Sequence, residues 1–171
     1  MANGHELNVG ESHESYDESR VVLALDEATN LVLFALPRDS VEIWIGRPED
    51  DGRKLLEVDP YTFRWMGGFL GREHFYVVEF RAVTIYEIKS GKLVVAWEGG
   101  AELTSGSERH LAVATEGEIQ VINVFGSSRE DADFVSRIDN EHRPTAIVLE
   151  SGELGVGAYD GWIYKFHLRK V

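Results

Sequence analysis

The chain contains no cysteine. That excludes disulfides, thiolate nucleophiles, zinc ribbons and iron–sulfur ligation together, and leaves packing as the source of stability. Long apolar runs are missing too. The longest, Leu31 to Leu36, falls far short of the ~20 residues a membrane-spanning helix needs. Residues Met1 to Ser19 have neither the basic nor the apolar region of a secretory signal, and no Asn-x-Ser/Thr sequon occurs anywhere. A cytoplasmic location with no membrane partner is the expectation. Basic residues are scarce: Lys and Arg total 17 against 30 Asp and Glu, a formal charge of −13. Nucleic acid and anionic lipid are thereby excluded as partners, because such affinities depend on Lys and Arg neutralising phosphates. A basic protein is the natural converse, although acidity of this kind also serves only to keep a soluble protein dispersed.

What remains is ordinary globular material of 171 residues, 43% apolar and 27% charged, with 4 Trp, 6 Tyr and 8 Phe to fill a core. One domain is expected, over residues 20–171. Residues 1–19 are set apart: they carry Glu6, Glu11, Glu14, Asp17 and Glu18, no Lys or Arg, and few apolar side chains. They read as an acidic flexible tail.

From Arg20 onward no window sustains a helical period. Instead, short runs rich in Val, Ile, Tyr, Phe and Trp alternate with turn clusters, so an all-β body is predicted. The predicted strands are Val21 to Leu25, Leu31 to Leu36, Val41 to Ile45, Lys54 to Val58, Tyr61 to Met66, Phe75 to Phe80, Val83 to Ile88 and Leu93 to Trp97. His110 to Ala114, Glu118 to Val124, Phe134 to Ile138, Thr145 to Leu149 and Trp162 to Leu168 complete the set. Between them lie Asp-Glu-Ala-Thr-Asn, Glu-Asp-Asp-Gly, Lys-Ser-Gly-Lys, Glu-Ser-Gly-Glu and Asp-Gly. Their Gly and Asn residues can take the positive φ that tight hairpins require.

A repeat appears when the runs are stacked. Ile43-Trp44-Ile45, Ile85-Tyr86-Glu87-Ile88, Val121-Ile122-Asn123-Val124 and Ile163-Tyr164-Lys165-Phe166 hold the same place in successive units, their central residues 42, 36 and 42 apart. In the first three units a polar turn and an outer strand follow: Leu55 to Val58, Leu93 to Trp97 and Phe134 to Ile138. The period suits a four-stranded propeller blade. Runs such as Leu93-Val94-Val95-Ala96-Trp97 are apolar on both faces, as a strand sandwiched between neighbouring sheets must be. The alternative is a β-sandwich or barrel whose hairpins recur.

The segment Thr145-Ala146-Ile147-Val148 through Gly152, Leu154 to Tyr159 and Asp160-Gly161-Trp162-Ile163-Tyr164 resembles a WD-repeat blade. Val83 to Trp97 is similar to blades of quinoprotein-like propellers. The resemblance covers Arg20 to Val171 and rests on hairpin rhythm and aromatic placement; the Trp-Asp dipeptide and the Gly-His opener of the repeats are absent. It implies about four blades in a small or partial β-propeller, acting as a non-catalytic scaffold that holds protein partners on its loop-bearing face. The last unit lacks an outer strand unless N-terminal residues supply it, so self-association through an open blade edge is a further expectation.

No catalytic or metal motif stands out. The six histidines show no His-Glu-x-x-His spacing. His5 and His13 fall in the tail, and His74, His110 and His167 flank or occupy strands, where a hydrogen-bonded histidine is the ordinary outcome. Glu49-Asp50-Asp51-Gly52 lacks the alternating oxygens of a calcium loop. Gly152, Gly155, Gly157 and Gly161 do not fit Gly-x-Gly-x-x-Gly, and no Gly-x-Ser-x-Gly elbow exists. No cofactor and no metal ligand are expected.

The candidate binding surface comes from the turns. In the predicted strand phase, inner turns bring Arg38, Asp39, Arg81, Glu116, Glu118 and Asp160 to one end, and blade-to-blade connections add Asp59, Glu98, Asp139, Asn140, Glu141 and His142. Acids predominate, so an electronegative patch is expected; for each residue taken alone, a solvated turn is the more ordinary reading. The leading reading is a non-enzymatic module whose acidic loop face binds a basic protein, for example an immunity protein covering a basic toxin. A structural subunit completing a larger propeller by edge-strand pairing is the second reading. A hydrolase with a loop-built site is the third and would require a deep polar pocket on that face.

Overall fold

The computed structural model describes residues 20–115, 117–125, 132–137 (backbone only), 143–150 and 152–168. Fifteen strands and no helix occur among them. They form four separate antiparallel sheets, each a meander in chain order. The first holds β1 (Val21–Asp26), β2 (Leu31–Pro37), β3 (Val41–Gly46) and β4 (Arg53–Val58). The second holds β5 (Phe63–Leu70), β6 (His74–Glu79), β7 (Ala82–Glu87) and β8 (Leu93–Glu98). The third holds β9 (Leu103–Gly106), β10 (His110–Thr115), β11 (Glu118–Asn123) and β12 (Ala132–Arg137). The fourth has three strands, β13 (Pro144–Glu150), β14 (Glu153–Ala158) and β15 (Ile163–His167).

The turns behave as their composition dictates. Asn30 (φ 54°), Gly52 (78°), Gly91 (67°), Gly152 (82°) and Gly161 (86°) all sit in the left-handed region, each in one of the five predicted turn clusters. Three elements depart from the sequence reading. Strands β9 and β14 were not among the predicted runs, because Leu-Thr-Ser-Gly is short and half polar, and Glu-Leu-Gly-Val-Gly-Ala is diluted by glycine. Strand β5 starts two residues later than predicted and runs on through Gly67 and Gly68 to Leu70. Pro60 and Tyr61 belong instead to a turn closed by the Thr62 and Phe63 amides donating to the Asp59 carbonyl.

The sheets stack as blades, with their first strands β1, β5, β9 and β13 against one another in order. Three apolar clusters fill the gaps between neighbours. Leu33, Ala35, Val41 and Ile43 of the first blade meet Phe63, Phe75 and Val77 of the second. Tyr76, Val78, Val83 and Ile85 meet Leu111 and Val113 of the third. Ala112, Ala114, Ile119 and Val121 meet Ile147, Leu149, Leu154 and Val156 of the fourth. Each fully buried Leu, Ile, Val or Phe contributes about 1.5–3 kcal/mol. Because a sheet side chain points to alternate faces, the middle blades bury both faces. No fourth cluster joins the last blade to the first among the described residues, so the blades form an open arc.

Specific bonds fix adjacent blades. The Leu149 amide donates to Ser105 Oγ at 2.9 Å, and the Arg53 guanidinium donates to the Ile88 carbonyl at 2.7 Å. At the crowded inner edge, a Cβ on Gly106 of β9 would lie 2.5 Å from the Phe69 carbonyl oxygen of β5 and 2.9 Å from Leu70. Gly106→Ala is therefore expected to cost about 1–3 kcal/mol through forced separation of two blades. Gly117→Ala, whose Cβ would meet nothing within 4 Å, should stay within about 1 kcal/mol of the parent. Urea denaturation of both variants measures the contrast; equal midpoints would refute tight inner-strand packing.

Candidate functional site

Antiparallel alternation sends the β2–β3, β6–β7, β10–β11 and β14–β15 turns to the same end as the β4–β5 and β8–β9 connections. Arg38, Asp39, Asp59, Arg81, Glu98, Glu118 and Asp160 thus share one end of the arc. Glu116, Asp139, Asn140, Glu141 and His142 lie outside the described residues, as does the acidic tail.

Several of these side chains are occupied in building the turns. Asp59 Oδ1 accepts from the Tyr61 amide at 2.8 Å, and Asp160 Oδ1 accepts from the Trp162 amide at 3.0 Å; both are Asx turns. Asp160 Oδ2 also accepts from the Tyr164 hydroxyl at 3.5 Å, and burial together with the neighbouring Asp160 charge raises the Tyr164 pKa. Arg38 pairs with Glu42 at 3.3 Å.

Glu42 is the most enclosed charge among the described residues. Its carboxylate accepts from Lys54 Nζ at 2.6 Å and from the Trp44 indole at 3.1 Å, and Lys54 also bonds Glu57. The Lys54 hydrogen bond, opposed by desolvation and aided by Trp44 and Arg38, holds the Glu42 carboxyl below its ordinary value of 4.5. The same bond raises Lys54.

Aromatic side chains are what the turn chemistry did not reveal. Tyr61 is 94% exposed, and Phe80, Tyr159 and Trp162 are also exposed, all in or beside turns of this end. Phe80 lies under two arginines: the Arg64 guanidinium sits 4.7 Å and that of Arg81 5.9 Å from its ring centroid. Arg64 and Trp65 lie in a bulge of β5, where Phe63 pairs with Glu79 and Gly67 with Val77, so residues 64, 65 and 66 oppose Val78 alone. Trp65 has φ 58°, a conformation costing an L side chain about 1–2 kcal/mol. Its ring is tilted against Phe63 at 5.3 Å and remains exposed. Strain of this kind, held on a rigid inner strand, presents the indole outward rather than into a core. The signal in the sequence was an aromatic residue directly flanking three of the turns: Pro60-Tyr61, Phe80-Arg81 and Tyr159-Asp160-Gly161-Trp162.

Around this cluster the two signs of charge are mixed. Glu79 accepts weakly from Thr62 and Thr84, and Arg143 bridges to Glu102 at 3.1 Å, tying the connection before β13 to that before β9. A cleft of about 490 Å³ lies at the opposite end, among Asp26, Gly67, Gly68, Arg72, Ser105 and Ser107. Beneath it Tyr76 is buried, and desolvation raises its pKa against the lowering effect of a Thr104 hydrogen bond. No group of three or more His, Asp or Glu suited to a metal ion occurs among the described residues. There is also no helix among them long and apolar enough to cross a membrane.

No protein-family model matches the chain, and no curated protein sequence matches it. Solved structures do. The computationally designed Ika4 protein aligns with a TM-score of 0.59 at 18% identity, over 92% of this chain and 96% of Ika4. A chain of the mitotic checkpoint complex aligns at 0.67 and 15% identity, over 99% of this chain and 59% of that one. BamB from Moraxella catarrhalis aligns at 0.58 and 13% identity, over 90% and 48%. The chain thus spans about half to three fifths of these last two proteins. The neighbours are β-propeller proteins, so the four stacked sheets are blades of a partial propeller.

The Glu42 cluster makes acid stability testable. A carboxyl with a depressed folded pKa contributes stability that is complete above its unfolded value and is lost as pH falls through the folded one. The urea midpoint of the parent is expected to fall more steeply than that of Glu42→Gln below about pH 4.5. Parallel acid limbs for the two proteins would show that the Lys54 bond does not perturb Glu42.

Proposed function

We propose that the chain is a non-catalytic protein-interaction module that seats a partner protein on the end of the arc carrying Tyr61, Trp65, Phe80, Arg64 and Arg81. The exposure of Tyr61, Trp65 and Phe80 beside two arginines is the observation that carries this reading. Aromatic and Arg side chains are enriched among residues that dominate binding energy, and rigid strands hold the turns in fixed relation.

The partner is basic in this reading. The formal charge of −13 supports it, with Asp59, Glu98, Asp160 and the acids outside the described residues supplying a field that steers encounter. Its narrowest form is a cytoplasmic immunity or antagonist protein that covers a basic toxin such as a nuclease. A structural role is favoured by a different observation: the outer side of β15 pairs with no strand among the described residues, leaving the arc open to completion by another chain.

The test is capture of partners from native-host lysate on the immobilised chain, at low and high salt, with the parent and the Phe80→Ala and Tyr61→Ala variants. A basic protein retained near equal stoichiometry, weakened by salt and reduced about tenfold or more by Phe80→Ala, is the expected result. Both side chains are exposed, so thermal melting should be unchanged. Retention that ignores both substitutions would overturn the assignment of this face.

A further inference from the structure

The blades are built on equivalent positions, and their burial can be compared one for one. The anchor residues Ile43, Ile85 and Val121 are 0%, 1% and 0% exposed, because each packs on the following blade. Ile163 occupies the same place in the fourth blade and is 73% exposed. On its face, Val148 pairs with Gly155, and Gly157 pairs with both Ile163 and Ala146. Two glycines in the middle strand therefore leave a trough, walled by the exposed side chains of Val148 and Ile163.

The opposite end of the arc offers the converse shape. Phe75, Leu111 and Val156, which point toward the preceding blade, correspond to Phe34 in the first blade through their pairing with Tyr86, Ile122, Tyr164 and Trp44. Phe34 stacks on Trp44 at 6.3 Å and is covered by the Arg20 guanidinium at 5.1 Å. Beside it on β1, Val22 pairs with Phe34 and is 63% exposed. Its counterpart in the fourth blade, Ile147, which pairs with Val156, is 8% exposed because a preceding blade covers it. One terminal face thus presents a trough floored by glycine, and the other presents the exposed Val22 and Leu25 of β1, which pair with Phe34 and Val32, Phe34 itself being buried. Inside the arc, small Ala112 and Ala114 already receive large Leu154 and Val156 in the same way.

We infer that two copies of this chain join head to tail, the fourth blade of each packing face to face on the first blade of the other. The inference rests on the structural reading above but replaces edge-strand pairing by continuation of the inter-blade stack. The occupant is a second copy because both faces of the missing contact belong to this chain. Moreover, one arc spans 48% to 59% of BamB and the checkpoint-complex chain, so two arcs together match the length of either. The two contacts are identical and related by a twofold axis, which closes the assembly as a ring instead of a fibre.

Sedimentation velocity of the full chain across the micromolar range tests this, with Ile163→Glu and Val22→Glu as variants. Both sites are exposed in the single chain, so far-UV circular dichroism and melting of the monomeric variants should match the parent at equal dilution. The expected result is a mass twice the 19.2 kDa of one chain, reduced to a single mass by either substitution alone. A parent that stays monomeric throughout overturns the inference, while completion of the arc by a different chain stands. A dimer indifferent to both substitutions overturns the face contact while leaving edge pairing standing. Loss with Ile163→Glu only would mean that two fourth blades meet each other, which also overturns head-to-tail joining. None of these outcomes bears on the Phe80 surface.

Discussion

Face-to-face burial between neighbouring sheets is the interaction on which everything else in this protein depends. A four-stranded sheet whose two faces are both apolar cannot stand in water by itself; it becomes stable when each face meets another sheet. The second and third blades satisfy that requirement twice, through clusters centred on Phe75 and Ile43, on Ile85 and Leu111, and on Val121 and Leu154. The first and last blades satisfy it once. The first covers part of its outer face with polar and charged groups of its own: Arg20 over Phe34, and Lys54 and Arg38 around Glu42. On the last, the exposed apolar residues Val148 and Ile163 stand beside glycine.

The stack also fixes where function can reside. Strands held on two sides leave the turns as the freely variable parts, and alternation gathers them at two ends with different chemistry. One end is glycine-rich and cleft-like, because β5 and β9 approach until Gly106 lies against the Phe69 carbonyl. The other carries carboxylates that brace their own turns, as Asp59 and Asp160 do, and aromatic groups that brace nothing. An acid that accepts a backbone amide in its own turn is partly spent on local structure. Tyr61 and Phe80, by contrast, contribute little to the cores and remain available for contact.

The strained Trp65 fits the same division. A bulge in an inner strand costs pairing to β6 and places an L residue at positive φ. Phe63 before it and Gly67 after it resume the ladder, and Met66 within it packs against the second core cluster. The bulge re-aims Arg64 onto Phe80 and turns the indole outward, which makes the inner strand part of the proposed binding end.

By itself, the sequence determined the local chemistry: hairpins closed by Asn30, Gly52, Gly91, Gly152 and Gly161 at positive φ, a strand rhythm near forty residues, and anchor runs from Ile43 to Tyr164 that repeat blade by blade. These follow from nearest-neighbour sterics and from a side-chain period of two, both of which are written in short windows. The end of the arc shared by Arg38, Asp59, Arg81 and Asp160 was legible for the same reason, since strand alternation is a parity rule. Strands β9 and β14 were not, because their identity comes from neighbours that cover Leu103 and Leu154 rather than from their own composition. Only the tertiary structure decided that Phe80 lies under Arg64 and that Ile163 is exposed where Ile43, Ile85 and Val121 are buried. Each of those outcomes is set by which residues, distant in the chain, come to lie against one another.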